Sequence, residues 1–130
     1  MLIAGNNIVS EYNMNQGTVL AKSKDFALRI VKLYQFLVNE KNEFVLSKQI
    51  LESGTSIGAN INEANCAQSR ADFYSKMYIA YKESSETQYW LDLLLGGGYI
   101  SENQYKSMFA DCNELTRMLS SITKSQKEEK

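Results

Sequence analysis

Residues 53–64 read SGTSIGANINEA. By composition this stretch is a loop, rich in Gly, Ser and Asn. By periodicity it is the middle of a helix. Leu46, Ile50, Ile57, Ile61 and Ala64 fall on one stripe, with Gly54 filling the gap, and no proline interrupts them. We read a helix from about Val45 to Asn65. Each glycine inside it costs about 1 kcal/mol of helix propensity relative to alanine. Gly54 and Gly58 lie one turn apart, so the helix is thin on that side, with Ser53, Ser56, Ala59 and Asn60 adding little bulk. The reading that explains this is close packing against another helix. A phosphate loop would need a lysine and a preceding strand, and neither is present. The Gly-x-x-x-Gly spacing matches membrane dimers, but its surroundings are too polar for a bilayer.

Three further helices follow from the same logic. Phe26, Ile30, Leu33 and Leu37 step by 4, 3 and 4, with Ala27, Val31, Tyr34 and Val38 beside them, giving a helix from about Leu20 to Lys41. Asn39 to Glu43 is a polar break. After a short CAQS connection, Ser69 and Asp72 have the form of a capping box. Phe73, Met77, Ala80, Ser84, Thr87, Leu91 and Leu94 then make a core row, ended by Gly96–Gly98. Ser101 and Gln104 form a second capping box, with Ile100 and Tyr105 placed as a hydrophobic staple. Tyr105, Met108, Cys112, Leu115, Leu119 and Ile122 line the last helix. Short connections make neighbours antiparallel, so the expected fold is all-α: an antiparallel up-down-up-down four-helix bundle. We assign residues 20–123 to the bundle, 1–19 to a flexible leader or an arm on a neighbouring surface, and 124–130 to a charged tail.

The chain has 130 residues, enough for one domain, with a formal charge of −1. No strong overall field draws it to nucleic acid or anionic membrane. Histidine is absent, which removes Ser–His–Asp and Cys–His catalysis and any histidine-containing metal site. Cys66 and Cys112 form neither a Cys-x-x-Cys pair nor a zinc spacing, and they fall far apart in the expected bundle. They read as reduced thiols of a cytoplasmic protein. The N-terminus lacks a basic signal-peptide region, and no apolar run is long enough to span a membrane.

The remaining candidates are surface features. Glu63, Glu83 and Glu86 read as structural polar contacts or solvated groups; a carboxylate metal pair would want histidines. The third helix carries Phe73, Tyr74, Tyr78, Tyr81, Tyr89 and Trp90, too many directions for one core. Tyr74, Tyr78 and Tyr81 are therefore candidates for an oligomer interface. Lys22, Arg29 and Lys32 form the one basic stripe, by default a solvated face and otherwise, with Lys24, a phosphate contact.

The combination TSIGAN, a glutamate shortly after it, AQS-ADF and KE--ET-YWL resembles the four-helix-bundle proteins related to those encoded in bacterial 23S rRNA intervening sequences. That broad family includes the accessory protein of diversity-generating retroelements. The resemblance covers roughly residues 24–120. It implies a small cytoplasmic bundle that associates as a ring-shaped homopentamer, with no enzymatic activity and no cofactor. For the retroelement relative it implies binding of nucleic acid and reverse transcriptase through a basic surface. The signature carries over onto Ser56, Ile57, Asn60 and Glu63, with Gly54 and Gly58, and onto Lys82, Glu83, Glu86, Tyr89 and Trp90. The chain departs from the pattern at Glu52 and near Asn62, where many relatives carry basic residues. That departure and the acidic pI of about 5.5 weigh against nucleic-acid binding. The expected function is thus self-assembly and protein interaction; the rival is a nucleic-acid accessory factor using Lys22, Lys24, Arg29 and Lys32.

Overall fold

The computed structural model describes residues 3–128, with side chains described for residues 17–126. Four helices follow one another: α1 (Ile3–Lys41), α2 (Leu46–Ala64), α3 (Arg70–Gly96) and α4 (Glu102–Glu128). Each packs on its neighbours in the order α1, α2, α3, α4 and back to α1, and the α1–α4 contact is the narrowest. Cross-helix pairs fix the directions. Gly54 and Gly58 of α2 meet Ile30 and Ser23 of α1. Glu63 and Ser53 meet Lys76 and Thr87 of α3. Arg29 and Lys22 of α1 meet Asp111 and Glu114 of α4. In every pair one number rises as the other falls, so adjacent helices are antiparallel and the bundle is up-down-up-down.

The core rows lie where the periodicity puts them. Phe26, Ile30, Leu33 and Leu37 of α1, Ile50, Ile57, Ile61 and Ala64 of α2, and Met108, Cys112, Leu115, Leu119 and Ile122 of α4 are all buried. The α3 row is buried from Phe73 to Leu94, and it includes Ser84 and Thr87. Those hydroxyls are paired. Ser53 Oγ and Thr87 Oγ1 lie 2.9 Å apart across α2 and α3. Across α3 and α4, Gln88 donates to Thr116 at 3.2 Å, Thr116 to Ser84 at 2.9 Å, and Ser84 to the Tyr81 carbonyl at 2.7 Å. Burial therefore leaves these polar groups satisfied.

The helix ends have identifiable chemistry. Ser69 Oγ accepts from the Asp72 N–H at 3.0 Å. Ser101 and Gln104 cap each other reciprocally at 2.8 and 3.1 Å. At the end of α3, Gly98 takes φ +81, Tyr99 N–H reaches the Leu94 carbonyl at 2.9 Å, and Gly98 N–H reaches that of Leu95 at 3.0 Å. This is a Schellman motif, and its left-handed position explains why a glycine is needed there. The turn after α1 places Asn42 at φ 52, which asparagine tolerates, and returns the Glu43 N–H to the Leu37 carbonyl at 2.9 Å.

The start of α2 lies where the periodicity puts it, but its cap was not legible in the sequence. Glu43 is buried, and its carboxylate accepts from the N–H groups of Ser47 at 2.7 Å, Leu46 at 2.9 Å and Val45 at 3.2 Å. Burial pushes its pKa up, but those backbone donors and the Ser47 hydroxyl outweigh it and hold the carboxyl below its ordinary value.

The outer helices run beyond the bundle segment at both ends. The helical backbone of α1 continues from Ile3. Asn and Gly lower propensity there, but propensity is a weak prior and no proline stops the helix. Likewise α4 continues through residues 124–128, so the charged tail begins as helix.

Candidate functional site

The opening stretch is helix, and its thin side faces α1 of the same bundle. A Cβ added at Gly54 would stand 2.7 Å from Ile30 Cγ1, and one at Gly58 would stand 3.0 Å from Ser23 Oγ. The glycines therefore serve the fold, and they leave the opposite side of α2 to form a surface with α3.

That surface gathers most of the signature. Glu52, Ser56, Asn60 and Glu63 recur at spacings of 4, 4 and 3 along α2; Ile79, Glu83, Glu86 and Trp90 recur at 4, 3 and 4 along α3. Glu63 pairs with Lys76 at 3.3 Å, joining the two rows. Glu86 accepts from Trp90 Nε1 at 3.0 Å, and the Trp90 ring meets Tyr89 edge-on at 5.0 Å. The Glu83 carboxyl is raised above its ordinary value, first by partial burial, then by Glu86, with Glu52 adding to it against the opposing pull of Lys82. The wall is thus acidic and aromatic, with Ile79 and Leu93 exposed on its α3 side. Ile57 does not belong to it, being fully buried beneath. Asn60 donates to the Ser56 carbonyl one turn back, at 2.8 Å.

The aromatic candidates divide. Tyr74 does not face outward: it is 2% exposed and packs edge-on against Phe73 at 5.3 Å. Near the start of α3 both adjacent residues turn into the core, which a single heptad row does not anticipate. Tyr78 and Tyr81 do face outward, with rings stacked 6.0 Å apart and Lys82 over Tyr78 at 5.8 Å. They line a groove of about 510 Å³ between α3 and α4 together with Ser120, Thr123, Lys124 and Gln126. Arg117 and Ser121 line its continuation.

The basic stripe is largely committed. Arg29 pairs with Asp111 and donates to Ser107 Oγ at 2.7 Å, and Lys22 pairs with Glu114 at 3.2 Å. Lys24 and Lys32 are exposed. Among the described residues, no group of three or more His, Cys, Asp or Glu is placed to hold a metal ion. No described helix is long and apolar enough to cross a membrane.

Both cysteines are free thiols, Cys66 exposed and Cys112 buried. Burial pushes the Cys112 pKa up to about 12, and its Sγ donates to the Ser84 carbonyl at 3.3 Å. A colorimetric thiol assay at neutral pH is expected to report Cys66 alone in the native protein, and both thiols after denaturation.

The model of a family described as 23S rRNA-intervening sequence protein matches residues 15–121. Among solved structures, a protein of unknown function from the S23 ribosomal protein family of Bacteroides thetaiotaomicron VPI-5482 is 58% identical. The match covers 85% of this chain and 98% of that one, with a TM-score of 0.83. No curated protein matches.

Proposed function

The chain belongs to the 23S rRNA-intervening sequence protein family, and from that membership and the surfaces above we propose that it is a non-enzymatic assembly module whose first partner is itself. The observation that carries this reading is the outward side of α3. Its buried row already fills the core, yet Tyr78, Ile79, Tyr89 and Leu93 remain exposed. Large apolar and aromatic side chains left exposed on one helix are the usual mark of a contact surface. The expected assembly is a homopentamer, the stoichiometry implied by the family resemblance, acting in the cytoplasm as a scaffold for other proteins.

Native mass spectrometry and light scattering of the full chain at micromolar concentration test this. A pentamer is the expected result. A monomer at that concentration overturns the reading. The nucleic-acid alternative loses support, because Lys22 and Arg29 already face carboxylates of α4.

A further inference from the structure

Two outer walls of the bundle differ in charge and share aromatic character. The α2–α3 wall carries Glu52, Glu83 and Glu86 around Ile79 and Trp90. Among the described residues none of these three carboxylates has an ion-pair partner, although Lys82 stands close enough to influence Glu83. The α3–α4 groove carries Arg117 and Lys124 beside Tyr78 and Tyr81, and no described carboxylate lines it. Neither Arg117 nor Lys124 has an ion-pair partner among the described residues. By contrast Arg29–Asp111, Lys22–Glu114 and Lys76–Glu63 pair within the chain. These unpaired charges place an acidic wall beside a basic groove, with α3 between them.

We propose that these walls are the two halves of one head-to-tail interface. The acidic α2–α3 wall of one copy seats on the basic, tyrosine-lined α3–α4 groove of the next. This rests on the self-association reading above and assigns its surfaces. The occupant is a second copy because one chain supplies both complementary surfaces, and apolar residues accompany the charge on each. A heterologous contact of this kind propagates until it closes. In a closed ring the two contact faces of a subunit stand about 90° apart for four copies and about 108° for five. Adjacent walls of a four-helix bundle stand at roughly a right angle. The geometry therefore favours closure at four or five copies over a dimer or an open filament. The corner helix, α3, then turns toward the ring axis.

The test uses charge reversal in the full chain, with circular dichroism confirming native helicity. Glu83→Lys with Glu86→Lys is expected to weaken assembly at least about a hundredfold, because like charges then face each other. Arg117→Glu with Lys124→Glu is expected to do the same. Combining all four substitutions exchanges the signs and is expected to restore the oligomer. A monomeric wild type overturns self-association and this interface together. An oligomeric wild type whose folded reversed variants stay assembled overturns the interface alone, as does failure of the combined variant to recover.

Discussion

Replacing Gly54 by valine is expected to destabilise the bundle by about 3 kcal/mol, the upper part of the range for overpacked cores. The new Cβ would fall within 3 Å of three Ile30 side-chain carbons. Ile30 is fully buried, and two of those carbons branch directly from its Cβ, so the ring of neighbours holds it in place. Helix propensity acts in the opposite direction, since valine is a better helix former than glycine by a few tenths of a kcal/mol. Steric overlap wins because it cannot be relieved without separating α1 from α2. Chemical denaturation at fixed protein concentration measures the loss. A double-mutant cycle with Ile30→Ala gives the mechanism: the second truncation should cost far less in the valine background than in the wild type. Equal costs in both backgrounds would show that the two positions do not meet.

Substituting Glu43 by alanine is expected to cost about 2 kcal/mol, at the high end for helix caps because the acceptor is charged and serves several N–H groups. Its pH dependence carries a sign. The folded carboxyl sits below its model value of 4.5. The unfolded chain therefore binds the proton first as pH falls. The stabilisation is fully present above pH 4.5, and it disappears as pH falls through the lower folded value. Glu43→Gln should thus be least stable relative to wild type near neutrality, and the two proteins should converge in acid. A stability gap that stays constant from pH 7 to about pH 2 would mean that the carboxylate charge contributes nothing.

These two residues also show what the sequence could and could not reveal. Gly54 was legible because a glycine in the middle of an apolar stripe has a recognisable cost, and a cost demands a reason. What the stripe did not disclose was the neighbour. Gly54 could have met another subunit, and only the position of Ile30 places the contact inside one chain. Glu43 was not legible, because a glutamate in a polar break looks like any solvated residue. The familiar capping boxes at Ser69 and Ser101 were recognised since their spacing is local and stereotyped. Glu43 caps from outside the usual set of residue types, and does so by burial that only the turn at Asn42 creates.

The candidate surface was legible in parts. The spacing of Glu83, Glu86 and Trp90 put them on one side of α3, but nothing local said that Ser56, Asn60 and Glu63 lie beside them. That depends on the rotation of α2 about its axis, which the glycine contact with α1 sets. Tyr74 was misplaced for a related reason, because periodicity assigns a helical face and packing decides how wide that face becomes. The paired cations illustrate charge rather than shape. Lys22 and Arg29 formed a stripe in one dimension, and α4 supplied its carboxylates in three.

The narrow seam between α1 and α4 has a consequence for motion. A closed circuit of helices breathes first at its weakest joint, and here that joint unites the first and last helices of the chain. Its outer fastening is ionic and exposed, the kind of link that contributes about 1 kcal/mol or less and fades as salt rises. Parting there leaves the three hairpin connections intact. The broadest contact, α2 on α3, lies on the opposite side of the bundle and is untouched by such an opening. The first and last helices can thus part while the acidic α2–α3 wall keeps its shape.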